Sequence, residues 1–391
     1  MKLPAPVFRL LSRLPRPKGR KINRRKLSSF ILTVGDEGAV LLQVVRGEIV
    51  SRFFSPAHNA KETGAFVDAV MEAPRLPLII LFDTLDQAYV QQTLPPVAAM
   101  SVSRLMRKRL QREFPSDYLK GALLLGREKE KRRDWIFLMA ALQNTASVQA
   151  WLDMAAEWPN RCKGIYLTPL EAVAVARALD IARPVQGDRW HLLVSYNKVS
   201  GVRQIVYKNG QLVLTRLGHP AYESNAEAVA GAIEQEIIGT REYIKRLMAQ
   251  AGSELTVTII VSDDIRRHID RGKLGVGQLQ LLTPFEAAEA LNFPTAAQSA
   301  DRFGDIVLAV GIASAPKHLL KFVAPLMQRQ NQYHTAIRMV RAATVCAALG
   351  LLALAGTSAW SIVVSGKAIS ALEERQQSVT AELQKSREKA A

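Results

Sequence analysis

The sequence predicts an α/β protein with a body of two similar lobes, then one helix that crosses a membrane, then a short helical tail. Three observations carry this expectation. A strand, strand, strand, helix, strand pattern occurs twice, an uncharged run of 25 residues (342–366) follows the second copy, and the net charge of +17 lies almost wholly outside the two copies. At 391 residues and 48% hydrophobic, the chain is long enough to bury more than one core.

The basic charge sits at the flanks. Residues 1–29 hold ten Lys or Arg and no acid, residues 317–341 hold five and no acid, and residues 30–316 carry a net charge of only +1. Basicity in flanking arms rather than on a folded groove argues against nucleic acid as the partner. The arm at 1–29 is broken by Arg9, Arg13 and prolines and is not expected to act as a signal peptide. It reads either as a solvated arm or as an electrostatic contact with anionic membrane lipid.

Lobe 1 is expected over 30–178. It opens on "FILTVGDEGAVLLQVVRGEIVSRFF" (30–54), whose Gly38 and Gly47 mark two turns of a three-strand meander. A helical pattern follows at 60–73, then the apolar strand "LPLIILFD" ending at Asp83, then a helical insert at about 95–165. Lobe 2, over 179–316, repeats the order. "LLVSYNKVSGVRQIVYKNGQLVLTR" (192–216) has Gly201 and Gly210 at the same spacing, followed by a helix at 224–250 and the strand "LTVTIIVSD" ending at Asp263.

The basic juxtamembrane segment 317–341 leads into 342–366, which contains no charged side chain. As a helix of 1.5 Å per residue this run would reach roughly 37 Å, enough to cross about 30 Å of hydrocarbon with some tilt. The absence of any polar face and the position of Trp360 near one end favour a span over a buried core helix. Lys317, Lys321, Arg329, Arg338 and Arg341 precede the span, so the body is expected in the cytoplasm and residues 367–391 in the periplasm. In that tail, Ile369, Leu372, Gln376, Val379 and Leu383 fall at a and d positions of a heptad. The expectation is a short coiled coil, against a single solvated helix as the other reading.

Two lobes of this pattern facing each other across a cleft form the architecture of the actin, hexokinase and Hsp70 superfamily, an actin-like, duplicated ribonuclease H-like body. In such proteins the first turn of each lobe grips ATP phosphates, which calls for glycine backbone and for an acid that holds Mg²⁺ or orients water. Lobe 1 offers Gly35, Asp36 and Gly38, although Asp-x-Gly also suits any tight hairpin. Lobe 2 carries Ser195, Tyr196 and Asn197 where an acid is expected, and Ser262, Asp263 and Asp264 where paired glycines usually admit the adenosine. The expectation is a vestigial cleft with no cofactor, and ATP with Mg²⁺ is the competing one.

The chain further resembles the cytoplasmic actin-like platform proteins of bacterial type IV pilus and type II secretion machines, the PilM and GspL group. The resemblance rests on "QTLPPVAAMSVSRLMRKRLQREFP" (92–115), on "YKNGQLVLTR", on "AIEQEIIGTREYIKRLM" (232–248), and on "FGDIVLAVGIASAP" (303–316), similar to a closing strand and helix. A membrane helix after the body is similar to GspL, or to a PilM fused to a PilN-like anchor. The periplasmic domain of the GspL group has no counterpart in residues 367–391. The resemblance implies a non-enzymatic scaffold that couples an assembly or secretion ATPase to other inner-membrane platform subunits, and the heptad in the tail adds the expectation of a homo- or hetero-dimer. The alternative is an active ATPase or kinase of the same fold. A tether resembling FtsA is disfavoured, because that protein uses an amphipathic tail.

Other chemistry is sparse. The six histidines (His58, His191, His219, His268, His318, His334) show no metal-ligand spacing, and Cys162 and Cys346 give no disulfide framework. No phosphate-loop, nucleophile-elbow or zinc-protease motif occurs. The basic helix carrying Arg104, Arg107, Lys108, Arg109 and Arg112, and the charged segment at 126–134, read as solvated surface or as docking sites for an acidic partner.

Overall fold

The computed structural model describes residues 27–56, 63–115, 117–128, 132–180, 187–220, 225–248, 252–293, 297–298 and 300–390. Residues 1–26 of the basic arm and 129–131 of the charged segment lie outside them. Two compact units result, Met1–Gln328 and Arg329–Ala391.

The first meander of lobe 1 is β1 (Ser29–Gly35), β2 (Gly38–Val45) and β3 (Glu48–Pro56). Helix α1 (Gly64–Glu72) leads to β4 (Leu78–Asp83), which pairs parallel with β1. With β8 (Cys162–Leu167) these strands form a sheet of order β3-β2-β1-β4-β8. Every residue of β1 and β4 is buried, as expected of central strands covered on both faces. One cover is α1 with α3 (Ala146–Glu157), where Phe66 and Trp151 meet at 6.1 Å between ring centroids.

Lobe 2 repeats the plan with β9 (Arg189–Asn197), β10 (Gly201–Lys208), β11 (Gln211–Gly218), α6 (Ala226–Leu247), β12 (Glu254–Ile260) and β13 (Gln278–Leu282), in the order β11-β10-β9-β12-β13. The duplication extends to turn geometry. Arg46 and Gly47 (φ 52° and 82°) close the second hairpin of lobe 1, and Asn209 and Gly210 (φ 52° and 75°) that of lobe 2. Positive φ at both central residues matches the right-handed twist of the strands. A bulge precedes each turn, at Gln43/Val44 and at Val206/Tyr207. Strand β12 stops at Ile260, three residues short of the expected end, because Asp263 begins the short helix α7 (Asp263–Arg266).

The insert differs from the helical expectation. It holds one long helix, α2 (Ala99–Glu113), and a three-stranded sheet of β5 (Gln87–Leu94), β6 (Tyr118–Arg127) and β7 (Trp135–Gln143) in the order β5-β7-β6. The runs "YLKGALLLGR" and "WIFLMAALQ" are rich in Leu, Ala and Met, which favour helix, and a short apolar run does not separate a buried strand from a buried helix by period. Cross-strand pairing decides it. In β7 the odd-numbered Trp135, Phe137, Met139 and Ala141 join Val102, Met106 and Leu110 of α2 and Phe114 just beyond it, while Leu138, Ala140 and Leu142 turn to the lobe 1 core.

After β8 come α4 (Thr168–Glu171) and α5 (Val173–Ala178), and lobe 2 ends through α8 (Arg271–Leu274), α9 (Pro284–Ala290) and α10 (Asp305–Ala313). The segment 303–316, similar by sequence to a closing strand and helix, contains the helix alone, and α10 packs on β1, α4 and α5 of lobe 1. Its Val307, Leu308, Val310 and Ile312 share a core with Leu32, Ile80 and Val175.

In the second unit the chain continues the helix α11 (Pro325–Ala390). It is long and apolar enough to cross a membrane, and its most apolar window has none of its residues buried. Leu349, Leu352, Trp360 and Ile362 are each at least 60% exposed, a large apolar surface that hydrocarbon tolerates better than water. Ile369, Leu372, Gln376, Val379 and Leu383 continue the same helix.

Candidate functional site

The turns at the carboxyl ends of β1 and β9 meet in the cleft between the lobes. Glu37 N–H donates to the carbonyl of Val199 at 2.9 Å. A Cβ added to Gly35 would lie 2.0 Å from that carbonyl oxygen, so only glycine admits the contact. Gly38 adopts φ 154° as β2 begins, and a Cβ there would lie 2.4 Å from the Ser55 carbonyl oxygen. Asp36 turns the other way, its Oδ2 accepting from Leu85 N–H at 2.9 Å. Burial raises its pKa above the ordinary aspartate value, against the lowering effect of that N–H. Its observed contact is thus to the backbone that follows β4, 49 positions along the chain.

Beneath the turns lies a polar node that sequence reasoning did not assemble. Asp83, at the end of β4, is 1% exposed, and three residues of lobe 2 converge on it. Arg203 of β10 approaches with Nε 2.8 Å from Oδ1, as an ion pair and not as an aligned hydrogen bond. Ser200 Oγ donates to Oδ2 at 2.5 Å, and Asn197 Nδ2 donates to it at 3.1 Å. The other guanidinium nitrogens reach the Thr84 carbonyl (3.1 Å) and Thr215 Oγ1 (3.3 Å). Ser195 Oγ donates to Asn197 Oδ1 at 2.6 Å, which aims the Asn197 amide at Asp83. Of the residues singled out in lobe 2, Ser195 and Asn197 are thus brought to the cleft, and Arg203 was the missed partner. Its signal was a lone arginine within "GVRQIVY", at a buried position of a central strand.

A second buried acid fixes the lobe 2 turn. Asp305, at the start of α10, accepts from Lys198 N–H at 2.7 Å and from Val199 N–H at 3.0 Å. Its pKa is raised to about 6, chiefly by burial, partly countered by the two N–H groups and reinforced by the charge of Asp83. Gly304 beside it allows close approach, since a Cβ there would lie 2.3 Å from Ser195 Oγ. Next to this turn is a cavity of about 220 Å³ lined in part by Arg52, Phe53, Phe54, Lys198 and Phe303. The Lys198 ammonium sits 3.7 Å from the Phe54 ring centroid, and Arg52 pairs with Asp301 at 2.9 Å.

The third predicted group stands apart from the node. Ser262 precedes α7 without capping it, and Asp264 is exposed. Asp263 pairs with Arg266 at 2.5 Å and with Arg267, which hold its carboxyl below the usual range. On the insert, Arg104, Arg107, Lys108, Arg109 and Arg112 all lie on the exposed face of α2, with no acidic partner among the described residues. No cluster of metal-ligating side chains occurs among the described residues.

No protein-family model and no curated protein matches the sequence. Solved structures do match. A chain of the PilM-PilN type IV pilus biogenesis complex aligns over 73% of this chain and 98% of its own, at 14% identity and a TM-score of 0.51. The chain has the actin-like fold. The cytoplasmic domain of EpsL, an inner membrane component of the type II secretion system of Vibrio cholerae, aligns over 75% of this chain and 97% of its own at 9% identity, with a TM-score of 0.41. A protein of Bacteroides thetaiotaomicron with an actin-like ATPase fold aligns over 66% and 91% at 11% identity, with a TM-score of 0.37. The resemblance read from the sequence therefore holds at the level of fold.

Proposed function

We propose that this chain is a membrane-anchored scaffold of a type IV pilus or type II secretion inner-membrane platform, and that its actin-like body recognises proteins instead of hydrolysing ATP. One observation carries the second half of this reading. The turns that would cradle phosphate touch each other through Glu37 N–H and the Val199 carbonyl, and the acid beneath them, Asp83, is already neutralised by Arg203. A Mg-nucleotide would have to part these contacts and find another acid, so the residues present do not fit it. The first half is supported by the likeness to a chain of the PilM-PilN complex and by α11.

In this reading the body lies on the cytoplasmic side, close to anionic lipid, and docks an assembly or secretion ATPase. Residues 367–391 pair in the periplasm with a second copy or with a similar single-span subunit. Cysteines placed at 372 or 379 in a Cys346→Ser background should then crosslink under mild oxidation, and those at 375 or 382 much less. Equal crosslinking at all four positions would remove the seam.

The nucleotide question has a direct test. A ligand that binds only the folded state raises stability by RT ln(1 + [L]/Kd), about 2.7 kcal/mol at a hundredfold excess over Kd. Millimolar Mg-ATP is expected to leave the melting temperature of the full chain in detergent unchanged. A clear rise that Asp36→Ala abolishes would restore the active ATPase or kinase reading.

A further inference from the structure

Between α10 and α11 the chain runs as a strap, residues 317–324, along lobe 1. Linkers are ordinarily solvated and polar. This one is pinned at four points. Glu171, at the end of α4 and 2% exposed, accepts from the backbone N–H groups of both Leu319 and Leu320 at 2.9 Å. His318 stacks on Tyr166 with 4.1 Å between ring centroids and brings Nδ1 within 3.4 Å of the same carboxylate. Phe322 forms an antiparallel bridge with Ile165, its N–H donating to the Ile165 carbonyl at 2.8 Å, so the strap covers the outer edge of β8. Leu320 lies over Gly121 of β6, 3.1 Å from where a Cβ would stand, and so joins the main sheet to the insert. Phe322, Ala324 and Met327 are 3%, 5% and 2% exposed and belong to the lobe 1 core.

We infer that residues 317–324 are a docked ligand of lobe 1, an intrachain clamp keyed by Glu171 that ties helix α11 to β8 and the insert sheet. A buried carboxylate needs partners, and here they are backbone N–H groups supplied by the strap; removing the strap strands the charge and removing the charge strands the N–H groups. A pull along α11 therefore meets lobe 1 and its insert before it reaches α10. Released, the eight residues could extend to at most about 26 Å at roughly 3.3 Å each, so the clamp sets whether the connection is taut or slack. The inference rests on the strap geometry alone and stands whether or not the body serves a pilus or secretion platform.

The test uses the full chain in detergent micelles. Hydrogen exchange of the Leu319, Leu320 and Phe322 amides should be slow in the wild type and at least tenfold faster in Glu171→Ala, with trypsin cutting faster after Lys321. Glu171→Gln, which keeps a carbonyl acceptor, should fall between. Because Glu171 lies inside lobe 1, Leu320→Asp provides the same test from the strap side, with the β1 and β4 amides as the control for global folding. Faster strap exchange in Leu320→Asp with those controls unchanged supports the clamp. Strap exchange and cleavage that match the wild type in both Glu171→Ala and Leu320→Asp would overturn it.

Discussion

The hairpins of the two lobes share strand order, a bulge at the same place, and an αL pair in the second turn, yet they bring opposite chemistry to the cleft. Lobe 1 supplies backbone and one acid, through Gly35, Glu37 N–H and Asp83. Lobe 2 supplies the groups that consume them, the Val199 carbonyl, Asn197, Ser200 and Arg203. The comparison teaches that a duplicated backbone is fixed by turn geometry and strand pairing, whereas the contact between copies depends on a few side chains free to diverge. It also separates two kinds of burden. Lobe 1 carries the insert and the strap and receives α10 on its core, and lobe 2 carries the cation that locks the cleft.

The largest expected effect comes from breaking that lock on one side. Asp83→Ala or Arg203→Ala leaves the other charge buried without its partner, which costs about 3–5 kcal/mol. The double variant Asp83→Leu/Arg203→Met removes both charges at similar volume and should recover most of the loss. Chemical denaturation of the full chain in detergent measures all three. If the double variant loses as much as the sum of the single ones, the two residues are not a coupled pair and the asymmetry between lobes has another source.

Next in size is the pH response of Asp305, the group at the start of α10 that holds the lobe 2 turn. Its folded pKa is raised from 3.8 to about 6. Between these values the folded state binds the proton and the unfolded state does not, so this group's contribution is greatest below about pH 4 and is lost as pH rises through 6. At 1.36 kcal/mol per unit, the change is on the order of 3 kcal/mol. Asp305→Asn has no such titration. The stability advantage of the wild type over Asp305→Asn should therefore shrink from pH 4 to pH 6.5, and an advantage that grows over that range would contradict the burial-driven shift.

Much of the fold was legible because glycines and apolar runs encode it. Gly38, Gly47, Gly201 and Gly210 located both meanders, and the uncharged run at 342–366 located the apolar helix. The insert was misread because Leu, Ala and Met in β6 and β7 speak for helix until strands far apart in sequence pair with them. The cleft was half legible. Ser195 and Asn197 marked the departure in lobe 2, but a salt bridge between residues 83 and 203 spans 120 positions and leaves no local pattern. Glu171 was invisible for the same reason, since its partners are backbone N–H groups 148 and 149 residues away, whose donors every sequence contains.

The smallest effect on stability should come from the insert, where the same comparison can be put to a functional use. On α6 of lobe 2, Glu242 pairs with Arg241 at 2.7 Å and with Lys245 at 3.1 Å, so its surface charge is largely answered within the helix. On α2 of the insert, Arg104, Arg107, Lys108, Arg109 and Arg112 face solvent with only Glu113 as a neighbouring acid on the helix, and Arg112 alone gains from the carboxyl-terminal dipole. Exposed cations without partners contribute little to folding, so Arg104→Glu/Lys108→Glu/Arg112→Glu should change unfolding free energy by no more than about 0.5 kcal/mol per site. If α2 docks an acidic surface of an assembly ATPase, the same triple reversal should abolish co-purification of that ATPase, and the wild-type complex should weaken with added salt. Lys245→Glu/Arg246→Glu on α6 is the matched control and should leave the complex intact. Retention of the ATPase by the α2 variant would make that basic face mere solvated surface, and the docking site would have to be sought elsewhere on the body.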